Sequence, residues 1–278
     1  MKKLLFSLAM LVATQMFGQA VNMPQPSPTQ TIKQNFGLGN IELNYSRPSV
    51  KGRTVFKENS ELAPLDQVWR TGANAATTLT FSDEVIINGV TIKAGKYGLL
   101  SIPGKKEFTI IITKDVNVNQ PSLYKKENDI VRVTAPVMKM KDKMEVFTMQ
   151  FANIAYETCE LHIMWDNVAV SLPISTNIQD RIKADITKNL ASDKPNFQAA
   201  ANFYFEMVKD YPQALAAVTK GIDANKNAFW LYLLKAKIES SMGDKVSAKA
   251  SAEKCIQIAT EAKNTDYVRS AKELIAKL

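Results

Sequence analysis

The sequence predicts an all-β antiparallel sandwich with a jelly-roll-like arrangement, followed by an all-α domain of helical repeats. From about residue 28 to 175, apolar and polar side chains alternate with period two, as in strands with one buried face. After Ile178 the period changes to 3.6, and Ala, Lys and Leu dominate. We therefore expect a sandwich at 21–177, a linker or helix at 178–195, and helical repeats at 196–278.

The first twenty residues have the three-part layout of a secretory signal peptide. Met1–Lys3 is a short basic start, and the apolar run Leu4–Ala13 is too short to cross a bilayer. Small residues follow at Gly18 and Ala20, so we expect cleavage before Gln19 or just after Ala20. The abrupt polar segment that follows disfavours a buried N-terminal helix. The pattern predicts a periplasmic or secreted protein with a cleavable signal peptide.

Composition and charge exclude several classes of protein. The chain has 278 residues, of which 46% are hydrophobic and 22% charged, which is typical of a folded domain and not of a disordered chain. The formal charge of +8 falls to +6 when the two lysines of the signal peptide are removed. No basic run with interleaved aromatic residues is present, so we expect no nucleic-acid partner. No later apolar run is long enough for a membrane span.

Motifs for catalysis or metal binding are missing. His162 is the lone histidine, which excludes sites that need two imidazoles, and we expect it to be structural or at the surface. No P-loop, GxGxxG, GxSxG, CxxC or EF-hand loop is present. We predict no catalytic residue, no metal and no cofactor. Cys159 and Cys255 lie among apolar neighbours in different halves of the chain, and we expect two buried thiols, although a disulfide is the alternative.

The strands of the sandwich follow from the alternation. Asn88-Gly89 between two apolar runs is a strong hairpin signal. The lysine-rich stretch Lys139–Lys143 is interpreted as a solvated hairpin turn. About ten short strands are expected in all, among them 31–34, 40–45, 77–81, 86–92 as a hairpin, 97–102, 108–113, 130–135, 146–151, 160–165 and 168–174.

A motif that recurs after 34 residues predicts the kind of helices in the second domain. Asp210–Ala214 with Gly221 matches Asp244–Ala248 with Cys255, and 34 residues is the length of a tetratricopeptide repeat. The match is partial, because Lys209 replaces the usual Gly of the first repeat and neither repeat ends in Pro. A final helix at 267–277 would cover the last hairpin. We predict a tetratricopeptide-like domain that could bind a protein partner, with an ordinary helical bundle as the alternative.

Unusual residues cluster in residues 45–74. Three of the four arginines before residue 177 fall here among Trp, Gly and Pro. Arginine binds carboxylate or phosphate through two parallel hydrogen bonds, and Gly52 and Gly72 permit positive φ or close backbone approach. These residues could form a pocket for an anionic small molecule. The candidate ligand-binding residues are Tyr45, Arg47, Arg53, Trp69, Arg70 and Asn74.

A structural role for the same arginines is the alternative, and we favour it because arginines that hold loops are common and pockets are few. In that role the arginines cap backbone carbonyls and pair with Glu58, Glu61 or Asp66.

Three motifs in order resemble the family called domain of unknown function 2911. They are Tyr45–Phe56, Val68–Asn74 and Ala94–Pro103, and the resemblance covers about residues 24–174. The resemblance implies an exported protein of a Gram-negative bacterium, with a helical tail of a kind known in the family, and it implies no reaction. One departure is Ala75, where the family pattern usually has Glu after Gly-Ala-Asn. If that carboxylate is catalytic in relatives, this chain is inactive; if it pairs with an arginine, Ala75 leaves the pocket more positive.

Three functions are therefore open. The first is a non-catalytic ligand- or protein-binding module of the bacterial envelope. The second is a hydrolase that acts on envelope or imported material through carboxylates, since such an enzyme needs no visible motif. The third is a structural envelope scaffold.

Overall fold

The computed structural model describes residues 23–278, so the predicted signal peptide lies outside the described residues. Two antiparallel sheets in the N-terminal part are followed by six α-helices, and the chain is therefore a β-sandwich joined to an α-helical region. The strands are β1 (Thr29–Phe36), β2 (Gly39–Ser46), β3 (Thr78–Phe81), β4 (Val85–Ile87), β5 (Val90–Ile92), β6 (Gly95–Ile102), β7 (Glu107–Thr113), β8 (Asp129–Pro136), β9 (Met138–Ala152) and β10 (Thr158–Ser175).

The two sheets contain six and four strands. The larger has the order β1-β2-β3-β6-β7-β8, and the smaller has the order β5-β4-β10-β9. One buried apolar cluster includes residues from both sheets, for example Leu43 and Ile110 from the larger and Leu161 and Leu172 from the smaller. This shared core is what defines the sandwich, because each sheet buries one alternating set of side chains against the other.

The hairpin predicted at Asn88-Gly89 is confirmed. Ile87 pairs with Val90, and the two residues between them have φ of 50° and 75°. Positive φ at both central positions is the geometry of a type I′ turn, which Asn-Gly adopts readily.

The last two strands are longer than expected, and one prediction is wrong. The segment Lys139–Lys143 is not a hairpin turn but part of β9, which has 15 residues. The pairing of β9 with β10 shifts register twice around Asp166, whose φ is 50°. Residues 140–143 therefore lie in a bulged stretch without partners in β10. The alternating lysines stay exposed there, which gives the stretch the composition of a turn.

The helices begin at α1 (Gln179–Leu190) and continue as pairs. Asp210 and Asp244, which are 34 residues apart, each accept a hydrogen bond from the third backbone N–H beyond them and so cap α3 and α5. A π-helical segment, Phe203–Val208, continues α2. The other helices are α2 (Phe197–Asn202), α3 (Tyr211–Ala224), α4 (Phe229–Ser241), α5 (Lys245–Glu261) and α6 (Thr265–Ile275).

The junction between sandwich and helices is held by carboxylates at the start of α1. The two carboxylate oxygens of Glu157 accept hydrogen bonds from the Ile178 backbone N–H at 2.9 Å and from the Gln179 side chain at 2.7 Å. Arg181 in the first turn forms an ion pair of 2.6 Å with Asp83. Negative charge near a helix N-terminus is favourable, so these contacts stabilise α1 against the sandwich.

The Arg181–Asp83 pair makes stability depend on pH. The hydrogen bond from Arg181 lowers the pKa of Asp83. A carboxyl group with a lowered folded-state pKa stabilises the fold above its unfolded pKa, and this contribution is lost as pH falls through the folded value. We expect Arg181→Ala to raise the pKa of Asp83 in an NMR titration and to reduce the acid-induced loss of stability below about pH 4. Arg269→Ala, which removes an ion pair within α6, is the control. An unchanged pKa for Asp83 would contradict the assignment.

Both cysteines are buried and unpaired, as expected: Cys159 lies in β10 and Cys255 in α5. Burial raises the pKa of the Cys159 thiol to about 12. Over residues 23–278, no helix has the length and apolar character required to cross a membrane.

Candidate functional site

The connection between β2 and β3, residues 47–77, is anchored to both sheets. At its start, Ser49 bridges Val146 of β9, and the Phe147 N–H donates to the Pro48 carbonyl at 2.8 Å. Near its end, Trp69 and Ser101 of β6 exchange two backbone hydrogen bonds of 2.7 and 2.9 Å. This long loop therefore joins the two sheets and has no independent fold. We call it the β2–β3 loop.

Backbone strain is concentrated in the β2–β3 loop. Thr71 has φ of 55°, although a β-branched residue rarely adopts this conformation. Hydrogen bonds hold it there: its hydroxyl donates to Ser101 Oγ at 2.9 Å, and its carbonyl accepts from Thr77 Oγ1 at 2.8 Å. Strained backbone of this kind costs about 1–3 kcal/mol per residue and is common at binding sites. The residues other than Gly with positive φ in the loop are Lys51, Phe56, Asp66, Thr71 and Asn74.

The two predicted glycine roles are confirmed by the geometry. Gly52 has φ of 72° and no atom within 4 Å of an added Cβ, so its role is to allow the positive φ of a turn. Gly72 has φ of 154°, and a Cβ there would lie 3.0 Å from the Ser46 carbonyl oxygen. Gly72 therefore needs both its backbone freedom and its lack of a side chain.

The aromatic candidates Tyr45 and Trp69 are core residues. Trp69 is 4% exposed, stacks on Trp165 with ring centroids 5.8 Å apart, and donates its indole N–H to the Gly72 carbonyl. Tyr45 is 1% exposed, and its hydroxyl accepts from the Met149 N–H and donates to Gln30. Trp69 alone of these two lines a cleft, described below.

Arg47 and Arg53 donate to neighbouring parts of the chain. Arg47 donates to the Phe147 carbonyl at 3.1 Å and to Thr148 Oγ1 at 2.9 Å. Arg53 donates to the Val50 and Ser49 carbonyls within its own loop. These contacts match the structural role, in which arginines cap backbone carbonyls. The alternative also expected the arginines to pair with carboxylates of the loop. Arg47 and Arg53 instead make the contacts above, and Glu58 pairs with Lys105.

Arg70 differs from the other two arginines because it lines a cleft. Its Nη1 donates to the carbonyls of Asn119 and Asn74. Its Nε and Nη2 donate to no other residue within 23–278, and the side chain is half-buried. A guanidinium has five N–H donors, so donors remain available for an anion.

The cleft at Arg70 has a volume of about 210 Å³ and lies between two loops. One wall comes from the β2–β3 loop, and the other comes from the connection between β7 and β8. We call it the Arg70 cleft. Its lining residues are Ser60, Glu61, Leu62, Pro64, Val68, Trp69, Arg70, Asn119, Gln120 and Pro121.

The structure thus brings Trp69 and Arg70 to one cleft, with Asn74 beside Arg70. The Asn74 side chain donates to Gln25 and Ser27 instead of pointing to a free site. Sequence reasoning missed Asn119, Gln120 and Pro121, which are distant in the chain. The polar run before Pro121 is the only local signal, and it marks a loop without indicating what the loop faces.

A second cleft beside Phe56 is larger, and the carboxylate on its lining is already paired. Its volume is about 420 Å³, and its lining includes Leu65, Glu58 and Lys105. The Lys105 ammonium lies 3.0 Å from the Glu58 carboxylate, and both side chains are exposed. Lys57 also lines this cleft and is exposed, so the cleft offers a cation, but its carboxylate, Glu58, already has a partner.

His162 lies on β10, away from both clefts, and pairs with a carboxylate. Its Nε2 is 2.8 Å from Glu160 Oε2, and the Ser171 hydroxyl donates to the same oxygen at 2.8 Å. The hydrogen bond with His162 lowers the pKa of Glu160. In a serine-based triad the imidazole contacts the serine hydroxyl directly. Here His162 and Ser171 both contact the Glu160 carboxylate instead, so this is not the arrangement of such a triad. Over the part of the chain that the structure describes, no three His, Cys, Asp or Glu residues group as metal ligands.

Comparison with known families identifies the family of the chain. A family model described as "Protein of unknown function (DUF2911)" matches residues 27–174, more than half of the chain. The chain belongs to the DUF2911 family. The matched residues run from the segment before β1 to the end of β10, so the DUF2911 match covers the sandwich and stops before α1. No curated protein matches the chain.

In this DUF2911 member, Ala75 comes directly after Asn74, the residue whose carbonyl accepts a hydrogen bond from Arg70. Ala75 is exposed, and it supplies no carboxylate beside the guanidinium.

Proposed function

We propose that the sandwich is a non-catalytic ligand-binding module of an exported envelope protein, and that it binds an anionic small molecule in the Arg70 cleft. The observation that carries this proposal is the pair of unused donor nitrogens of Arg70 at a cleft wall. A planar guanidinium with adjacent free N–H groups suits a carboxylate or phosphate. Export is supported by the layout of residues 1–20.

The strained backbone next to Arg70 supports a binding role. Thr71, the residue after Arg70, and Asn74, whose carbonyl accepts from Arg70 Nη1, have φ of 55° and 58° in the turn that follows Arg70. The rest of the loop holds this turn through the Trp69–Ser101 bridge. A receptor side chain that is held before binding loses less freedom when the ligand arrives.

A carboxylate-based hydrolase has less support. Such an enzyme needs one carboxyl group with a raised pKa to act as the acid. The carboxyl groups with a resolved pKa shift, Asp83, Glu160 and Asp244, all have lowered pKa values.

We also propose that residues 196–278 are tetratricopeptide-like repeats that bind a protein partner. The matching N-caps of α3 and α5 support the repeat, and Ala214 and Ala248 are fully buried at equivalent positions. The buried apolar clusters of the sandwich and of the helices share no residue. The helices therefore have apolar cores of their own, and apolar side chains such as Val246, 83% exposed, are available to a partner.

Removal of the Arg70 guanidinium tests the anion site. In isothermal titrations of the wild-type protein with 4-methylpentanoate and with inorganic phosphate, we expect at least one of these anions to bind. Arg70→Ala should weaken that binding about tenfold or more, since hydrogen bonds to charged groups are worth about 1.5–3 kcal/mol.

Arg53→Ala is the matched control, because Arg53 lies in the same loop but donates to the Ser49 and Val50 carbonyls. It should leave the anion affinity unchanged. If neither anion binds the wild-type protein at millimolar concentration, the proposed function is wrong.

A further inference from the structure

The Arg70 cleft contains a second charge, of opposite sign. Glu61 lines the same cleft as Arg70, and its side chain is exposed. Within residues 23–278, Glu61 forms no ion pair within 4.0 Å and accepts no hydrogen bond, so it does not neutralise Arg70. The cleft therefore presents a cationic and an anionic group that are both free to bind.

Part of the remaining cleft wall is apolar. Leu62, Pro64 and Val68 line it and are half-buried. Exposed amide side chains of Asn119 and Gln120 lie at the facing loop. A ligand that fills this space needs a negative group, a positive group and an aliphatic body.

The volume limits the size of that ligand. Sites for drug-sized molecules measure about 300–1,000 Å³, and the Arg70 cleft has about 210 Å³. A long peptide would place only one of its two terminal charges in so small a space. A single small molecule that carries both charges fits better.

We infer that the Arg70 cleft binds a free α-amino acid with an aliphatic side chain. The carboxylate binds the free N–H donors of Arg70, the ammonium group binds the carboxylate of Glu61, and the side chain packs on Leu62, Pro64 and Val68. This inference rests on the proposed anion site at Arg70 and adds the cation-binding role of Glu61.

The other cleft of the loop provides an internal comparison. Glu58 and Lys105 are also an acidic and a basic residue on one cleft, but they lie 3.0 Å apart and pair with each other. The ammonium group of a zwitterion entering there would have to displace Lys105 from Glu58 before it gained its own contact. The Arg70 cleft requires no such exchange.

Three compounds that differ by one group test the inference in isothermal titrations with the full mature chain. They are L-leucine, 4-methylpentanoate, which lacks the ammonium group, and L-leucinamide, which lacks the carboxylate. We expect leucine to bind more tightly than either of the others. Glu61→Gln should weaken leucine binding about fivefold, the effect of losing one exposed charge pair, and should leave 4-methylpentanoate binding unchanged.

Glu58→Gln is the matched control and should alter neither affinity, because Glu58 belongs to the other cleft. If 4-methylpentanoate binds as tightly as leucine, or if Glu61→Gln leaves leucine binding unchanged, the amino-acid assignment is wrong while the anion site stands. If neither 4-methylpentanoate nor phosphate binds the wild-type protein, the proposed function fails, and the amino-acid assignment that rests on it fails as well.

Discussion

Replacing Trp69 by Ala is expected to lower the free energy of unfolding of the sandwich by about 3–5 kcal/mol, the usual cost of removing a large buried aromatic side chain. Trp69 stacks on Trp165 at 12° between ring planes and makes edge contacts with Phe56 and Phe147. Its removal leaves a cavity in the sandwich core and an unpaired Gly72 carbonyl, so the loss combines packing and one hydrogen bond. Chemical denaturation followed by circular dichroism measures the change.

Two variants make this result interpretable. Trp69→Phe keeps a ring in the cluster and should cost less than Trp69→Ala. Tyr156→Ala removes an aromatic side chain that is 58% exposed and should change stability by no more than about 0.5 kcal/mol. A Trp69→Ala protein as stable as the Tyr156→Ala protein would show that the aromatic cluster does not stabilise the fold.

Replacing Gly98 by Ala is expected to destabilise the sandwich by about 3 kcal/mol or more, because the added carbon has no space. A Cβ at Gly98 would lie 2.1 Å from the Asp115 carbonyl oxygen and 2.9 Å from Thr113 Cγ2. Gly98 pairs with Thr78 on one side and Thr113 on the other, so it sits in the middle of the larger sheet. Relief of the clash would require the β7 end and its loop to move.

Gly52→Ala is the matched control for Gly98→Ala. Gly52 has positive φ, but a Cβ added there would meet no atom within 4 Å, so only the backbone conformation carries a cost, about 1–2 kcal/mol. Comparison of the two melting temperatures separates steric overlap from backbone strain. Equal losses for the two variants would contradict the steric argument at Gly98.

Alternation of apolar side chains predicts the position of most strands because that pattern depends on neighbouring residues alone. β6, for instance, is predicted at 97–102 and spans Gly95–Ile102. In β10 the alternation shifts by one residue between Trp165 and Val168, so the pattern predicts two strands, 160–165 and 168–174, where the structure has one. That the chain continues as one strand through this shift depends on its pairing with β9, and the alternation does not carry that information.

The candidate site is predictable in part. The arginine-rich stretch stands out in the sequence as the unusual part of the chain, and the internal carbonyl contacts of Arg47 and Arg53 agree with the structural role favoured for them. The sequence does not distinguish Arg70 from these two residues. That distinction depends on Asn119–Pro121, a segment about fifty residues away that forms the other wall.

The period of the apolar pattern and the Asn-Gly turn are local properties of the sequence. The change of period after Ile178 predicts the two-part organisation of this DUF2911 protein, and Asn-Gly predicts the hairpin of β4 and β5, without knowledge of tertiary contacts. The pairing of charges is different, because it depends on distances between residues that are remote in sequence. Glu58 meets Lys105 across 47 positions, whereas Glu61, three residues later, lines a cleft with Arg70 without pairing to it. Folding of the β2–β3 loop against both sheets makes that difference, because it sets which of these side chains come within reach of one another.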